Sequence, residues 1–350
     1  MLAVHAFRIS KHGGPEVLEW VELPTPAPRT DEVLVEVQAC ALNRLDLWVR
    51  NGVPGHQFPL PLIPGAEVAG NVAAVGAVDE PVEDLHIGSK VLVAPGISCG
   101  TCDRCMAGID MLCPKYGILG EHRDGGYAEF VAVPRRNILP LPEGLSYTEA
   151  AAIPLVFMTA WHMLAARARL EPMEDILIHA AGSGVSSAAI QIAKLLGARH
   201  IFATASTDDK LEKARALGAT HVINYSRENF ADVVRDVTNG KGVEVVFDHV
   251  GGKTFEDSLK TLAWAGRIVI CGATANHLAG INLRAVFYKS LSILGSTMGS
   301  QSELRTLLRH VERGDLAPVI DRTLPLREAP EAQRLLEQRE VFGKIVLTLR

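Results

Sequence analysis

From about residue 174 the chain settles into a regular alternation of short apolar runs and segments with helical spacing. "DILIHAA" (175–181), "HIFATA" (200–205), "THVINY" (220–225), "VEVVFDHV" (243–250), "GRIVICG" (266–272) and "LSILGS" (291–296) read as strands. Between them lie helical patterns such as "GVSSAAIQIAKLLG" (184–197), which closes on Gly197, and "DDKLEKARALG" (208–218), capped from Ser206 or Thr207. Apolar strands alternating with helices require a parallel sheet covered on both faces. Six strands in this rhythm make a doubly wound dinucleotide fold.

That fold accounts for less than half of the 350 residues, and a chain of this length divides into two domains. Residues 1–150 are irregular and β-rich. "EVLVEVQAC" (32–40), "VAGNVAAVG" (68–76) and "SKVLVAPG" (89–96) are punctuated by turn signals such as "HGGPE" and "GVPG". The tail (297–350) holds one helical stretch, "SELRTLLRHVERG", and a last strand, "GKIVLTLR", expected to pack back on the first domain.

The net charge of -5 and the absence of a basic stripe make nucleic acid an unexpected partner. "AAAIPLVFMTAWHMLAA" (150–166), broken by Pro154, Thr159 and His162, is shorter than the ~20 residues of a membrane span and reads as core. "MLAVHAFRIS" lacks the apolar segment of an export signal. A cytoplasmic location is therefore expected, where clustered cysteines favour metal over disulfide. Cys99, Cys102, Cys105 and Cys113 follow a C-x2-C-x2-C-x7-C spacing. Four thiols so close together are expected to hold a metal ion, which either performs chemistry or only holds a loop in place. Cys40 and Cys271 read as buried core thiols.

The first strand-to-helix turn, Ala181-Gly182-Ser183-Gly184-Val185, departs from a strict G-x-G-x-x-G. Its place at the opening of a βαβ unit still fits a pyrophosphate held on the helix N-terminus. An NAD site usually has an acid at the end of the second strand. Here that strand ends on Ala205 and Ser206, with Lys210 one turn on. A neutral end beside a cation suits a 2'-phosphate, so NADP is preferred with NAD as the alternative. Tyr225, at the end of the third strand, joins the cofactor-binding candidates. Asp208 and Asp209 would repel a phosphate if they faced it, and equally suit the first turn of a helix.

"GGPEVLE", "PGAEVAG", the four-cysteine lobe, "GGYAEFV", "AAAIPLVFMTAW", "AAGSGVSSAAIQIAK" and "KARALGATHVINY" together resemble the medium-chain dehydrogenase/reductase superfamily over essentially the whole chain. This superfamily includes zinc alcohol dehydrogenases and quinone oxidoreductases. The resemblance implies a GroES-like catalytic domain (1–150, completed by 290–350) and a Rossmann cofactor domain (151–290), with the active site in the cleft between them. It also implies a homodimer or homotetramer and a small-molecule substrate. The zinc enzymes of the family use two metals. One is a structural zinc in a four-cysteine lobe, which the resemblance places on Cys99, Cys102, Cys105 and Cys113 and whose four thiolates leave no position for water. The other is a catalytic zinc held by Cys, His and Cys. In that register the positions are Asn43, Ala66 (in Gly65-Ala66-Glu67) and Leu155, and the proton-relaying hydroxyl aligns with Leu45. Only Glu67 and Asp46 remain, and carboxylates alone rarely make a zinc site.

This pattern resembles the zinc-independent, quinone-oxidoreductase-like branch with a retained structural lobe. Hydride transfer to an enone, enal or quinone is then expected, because such acceptors spread their own negative charge and need only a donor near oxygen. Asn43, as donor or orienter, and Asp46 are the catalytic candidates, beside a purely local reading of both as loop residues bonding nearby backbone. By resemblance Thr159 contacts the nicotinamide carboxamide. His122 and Tyr127 are further proton-donor candidates with structural roles as the alternative. An alcohol or aldehyde dehydrogenase, or a non-catalytic crystallin-like or RNA-binding role, are the competing functions.

Overall fold

The computed structural model describes residues 3–77 and 85–349. The end of the expected last strand, Arg350, lies outside them. The chain divides into two compact units, one of Met1–Leu155 with Ser300–Arg350 and one of Val156–Gly299.

In the first unit the strand Glu32–Ala41 is the organising element, and most of its residues are buried. It pairs antiparallel with Glu67–Val75, Phe130–Pro134 and the terminal strand Lys344–Thr348. Lys90–Val93 and Ile138–Pro140 extend the sheet on one side, and Ile320–Pro325 runs parallel to the terminal strand on the other. Val33, Val35, Val37, Val68, Leu119 and Leu347 belong to the apolar core beneath it. Gly65 enters the second of these strands at φ +103°, and a Cβ there would lie 2.6 Å from the Tyr127 ring. Only glycine lets the chain turn this tightly before Ala66 and Glu67.

The second unit carries six parallel strands in the order His221–Asn224, His200–Ala205, Asp175–Ile178, Val243–Asp248, Leu262–Ile270 and Ser292–Gly295. Numbered along this unit the order is 3-2-1-4-5-6, that of a doubly wound dinucleotide fold. The central strand Asp175–Ile178 is buried throughout. Thr207 caps the helix Asp208–Leu217 through its side chain, and Gly218 ends it at φ +123°.

The apolar stretch 150–166 is buried core, as its composition requires, but it is not one regular helix. The α-helical turns of Val156–Trp161 pass into a π-helical turn at His162–Arg167. Among the described residues no helix is long and apolar enough to cross a membrane.

Candidate active site and zinc lobe

Asn43 leaves the strand Glu32–Ala41 in an extended conformation and starts the helix Arg44–Asn51. Asp46, in the first turn, reaches back to accept the Asn43 N–H at 2.6 Å and also accepts the Gly65 N–H at 3.0 Å. One carboxylate thus clamps the helix start to the Gly65 turn. Asp46 is fully buried, and desolvation pushes its pKa up to about 7 although the Asn43 amide and the Lys344 charge pull it down.

The Asn43 side chain points inward. Its Nδ2 donates to Glu67 Oε2 at 2.9 Å and, at 3.4 Å, to the Ala41 carbonyl. Its Oδ1 accepts from Lys344 Nζ at 2.7 Å. The Lys344 ammonium lies 2.6 Å from Glu67 Oε2 and donates to the Leu42 carbonyl as well. Glu67 and Lys344 are 0% and 3% exposed. Glu67 Oε1 accepts the Leu155 N–H at 2.5 Å. Asn43 and Leu155 therefore converge on one carboxylate, beside the fully buried Ala66. Three ammonium protons meet three acceptors, which is what a buried charge demands.

Lys344 escaped the sequence reading. Its signal was a single lysine opening an otherwise apolar terminal strand, "KIVLT". Leu45, at the position of the family's relay hydroxyl, is half-buried and offers no proton. Tyr127 is fully buried and its phenol is pushed up by desolvation, so it is a core residue. His122 stands on the surface beside Glu121. Cys40 is buried, and Cys271, just past the end of its strand, is partly exposed as a residue although burial of its thiol pushes its pKa up to about 12, in keeping with a core thiol.

The four lobe cysteines are brought together. Their sulfurs lie within 4.8 Å of one another, with Cys102–Cys105 at 3.5 Å and Cys99–Cys105 at 3.8 Å. Zn–S bonds of about 2.3 Å give a tetrahedron of about 3.8 Å edge, so the donor set fits zinc. The amides of Cys102 and Cys99 point at the sulfurs of Cys99 and Cys113, and Lys115 N–H at Cys113 as well. Such donors favour thiolate, and those of Thr101 and Cys102 bring the Cys99 thiol down to about 5.

In the second unit Ser183 caps the helix Gly184–Leu195 by accepting the Ser186 N–H. Both serine hydroxyls lie 3.0 Å from His249 Nε2. Ala181 is tied to the second strand through Thr204. The amides of Gly184 and Val185 open the helix, where an anion is favoured. Ser206 is half-buried and Tyr225 is exposed. Asp208 pairs with Asn224 and Arg227, and Asp209 with Lys213. Thr159 is buried, and among the described residues its hydroxyl has no hydrogen-bond partner. An orphaned buried hydroxyl and an open helix N-terminus are what a dinucleotide would complete.

Two family models match the chain: Zinc-binding dehydrogenase over residues 184–313 and Alcohol dehydrogenase GroES-like domain over residues 29–143. The quinone oxidoreductase of Pseudomonas aeruginosa is 33% identical over 97% of this chain and 98% of its own. The chain belongs to the medium-chain dehydrogenase/reductase superfamily. The NAD-dependent alcohol dehydrogenase of Sulfurisphaera tokodaii is 31% identical over 98% of this chain and 99% of its own. A crystal structure described as an NAD-dependent alcohol dehydrogenase is 50% identical, with a TM-score of 0.92 over 99% of this chain and 100% of that one. The protein is thus an NAD(P)-dependent oxidoreductase with a GroES-like and a Rossmann domain. Members with both activities in their names match it.

The raised pKa of Asp46 has a measurable consequence. Its folded value of about 7 lies above the ordinary 3.8, so the folded state holds the proton more tightly. The corresponding stability is present in full below about pH 4 and is lost as pH rises through 7. Asp46→Asn should flatten the fall in melting temperature between pH 4 and 8, removing up to about 1.4 kcal/mol per pH unit. Parallel melting curves for the two proteins would show that Asp46 titrates in its ordinary range.

Proposed function

We propose that the protein is an NAD(P)H-dependent reductase of conjugated carbonyl acceptors (an enone, an enal or a quinone) that works without a catalytic zinc and keeps zinc only in its four-cysteine lobe. The observation that carries this reading is the Lys344–Glu67 pair. A catalytic zinc takes three nitrogen, sulfur or carboxylate ligands and an open position. Here the three family positions offer an amide, a methyl and an isobutyl group. Of the two carboxylates that remain, Asp46 is taken up by the Asn43 and Gly65 amides and Glu67 is already held by an ammonium at 2.6 Å. A dication brought to that point would face Lys344 with no thiolate or imidazole to offset the repulsion. The residues do not fit the metal.

The nicotinamide cofactor, when bound, supplies a hydride. The remaining demands fall on the chain's own residues. The Lys344–Glu67 pair is neutral overall, so it stabilises a localised alkoxide poorly. An acceptor that spreads its new charge over a conjugated oxygen asks for less. Both Asn43 amide hydrogens are directed to Glu67 and Ala41, which supports an orienting role for Asn43 over a donating one. Asp46 holds the loop that carries it. The orphaned Thr159 hydroxyl supports its assignment to the nicotinamide carboxamide. The competing reading, alcohol oxidation, is favoured by the 50% identity to a structure described as an alcohol dehydrogenase.

For the cofactor, Ala181, Gly182, Ser183, Gly184 and Val185 take the pyrophosphate, and Ser206, Lys210 and Tyr225 take the adenosine ribose. Asp208 and Asp209 are each matched with a cation of their own, which removes the main objection to a 2'-phosphate beside Lys210. We read the preference as NADP.

The oligomer follows from the sheet edge. Ser292–Gly295 ends the six-stranded sheet, and beside it the helix Leu283–Tyr288 buries no residue within its own chain. Leu283, Phe287 and Tyr288 are each about 70% exposed, and Trp264 packs its ring 5.2 Å from Tyr288. An open apolar edge of this kind fits a second copy of the chain.

With NADPH, turnover of conjugated enones or quinones should exceed oxidation of any simple primary alcohol and should survive a mild chelator. Rapid, chelator-sensitive oxidation of a primary alcohol would overturn the reading in favour of the alcohol dehydrogenase. Lys210→Ala should raise the KM for NADPH about tenfold, corresponding to about 1.4 kcal/mol, and leave that for NADH nearly unchanged. Equal effects on both would remove Lys210 from phosphate recognition. Light scattering at micromolar concentration should give a dimer or tetramer, and Phe287→Asp with Tyr288→Asp should shift it toward monomer. A monomeric wild type would refute the edge as an interface.

A further inference from the structure

A second group of ligating side chains stands outside the four-cysteine lobe, in the first unit. His56 Nε2 lies 3.6 Å from Glu121 Oε1, and His122 Nδ1 lies 3.8 Å from Glu121 Oε2. One ligand atom from each of the three residues lies within 4.8 Å of the others. These separations are too long for hydrogen bonds. They are close to the edge of about 3.4 Å that a tetrahedral ion with bonds of about 2.0–2.1 Å imposes on its ligands. The three side chains bring a ligand atom each within reach of one ion without hydrogen-bonding one another.

The local chain holds them there. Glu121 and His122 sit on a turn in which both amides donate to the Ile118 carbonyl, and the Gly120 amide donates to Arg123. That turn abuts the chain at Gly65, since a Cβ on Gly120 would lie 2.6 Å from the Gly65 nitrogen. His56 comes from the loop after the helix Arg44–Asn51, its ring 4.4 Å from that of Phe58. The Ile118 amide donates to His122 Nδ1 at 3.1 Å, so this nitrogen carries a lone pair and not a proton. The amide is exposed and can turn to water when the lone pair is taken. Glu121 is 12% exposed, and among the described residues its ion-pair partners are the two histidines alone. A largely buried carboxylate with neither lysine nor arginine beside it lacks a cation.

We propose that His56, Glu121 and His122 form a second metal site, for a divalent transition ion of the zinc class. Two imidazoles and one carboxylate suit zinc, cobalt or nickel better than magnesium or calcium, which prefer all-oxygen shells. Three protein ligands leave a position for water or for an oxygen of a small molecule, unlike the closed lobe. The site does not depend on the acceptor reading above. Any chelator sensitivity of catalysis is assigned to it or away from it by the variants below.

Cobalt(II) distinguishes the two sites. Bound to thiolates it gives intense near-ultraviolet charge-transfer bands, and bound to imidazole and carboxylate only weak visible ones. Full-length protein with its lobe zinc in place should take up one further equivalent of cobalt with weak visible bands and no sulfur charge transfer. Glu121→Gln and His122→Ala should each weaken that uptake at least about 100-fold, since losing even an outer-shell partner costs 10–100-fold. The metal-free melting temperatures and the lobe zinc should be unchanged. Wild-type protein that takes no cobalt beyond the lobe at about 100 μM free ion, where only a Kd weaker than that would escape detection, would overturn the proposal. So would cobalt appearing only with sulfur bands, or uptake that both variants retain.

Discussion

The ion pair between Lys344 and Glu67 is the contact on which the first unit depends. It joins the terminal strand to the strand Glu67–Val75 across the central strand Glu32–Ala41, at the end where that strand gives way to Leu42 and Asn43. Buried charge pairs gain little over apolar packing, but removing one partner leaves an uncompensated charge and costs about 3–5 kcal/mol. The pair is therefore a strong condition on the fold even where it adds little net stability. Once residue 344 must reach residue 67, the tail has to return to the unit from which the chain set out. The strand pairing of Val346 with Ala41 and the capture of the Leu42 carbonyl follow the same geometry.

The second unit rests on a different constraint. Parallel strands leave no face for water, so nearly every residue of Asp175–Ile178 and His200–Ala205 is buried. The buried charges that occur there are answered locally. Asp175 is fully buried at the start of the central strand and is held below the usual carboxylate range by Arg199 and His200 despite desolvation. His179, at the other end, is buried between Thr204 and Ser258, and desolvation lowers its pKa to about 3. It is a neutral hydrogen-bonding ring that ties three elements together next to the Ala181–Val185 turn.

These two kinds of constraint differ in how far the sequence displays them. The six strands and the helix caps of the second unit were legible because each depends on neighbours in the chain: apolar runs, Thr207 before its helix, Gly197 and Gly218 after theirs. The lobe was legible because its ligands fall within fifteen residues. The passage into a π-helical turn at His162 was not, since periodicity does not distinguish it from an α-helix over six residues. Lys344 and Glu67 are 277 residues apart in the numbering, and no local pattern links them. His56 is similarly remote from Glu121 and His122. Asn43 and Leu155, two of the positions that comparison by register supplied, are brought by the fold onto Glu67 beside Ala66, but the lysine that bonds Asn43 and Glu67 was invisible to the same register.

A carboxylate in the position of Glu67 needs a cation nearby, and the chain supplies one covalently. An ammonium and a metal ion satisfy the same charge, yet they differ in what they leave available. A metal with three protein ligands retains an open coordination position that can polarise a substrate oxygen. The Lys344 ammonium spends its three protons on Leu42, Asn43 and Glu67, and it has nothing left to offer a fourth partner. For the reductase proposed above, that polarisation would fall to the acceptor itself. A conjugated carbonyl brings its own means of spreading charge, whereas a simple alcohol does not. If the site works as proposed, an ammonium at Glu67 in place of a metal favours an acceptor that delocalises its own charge over one that needs a localised oxyanion stabilised.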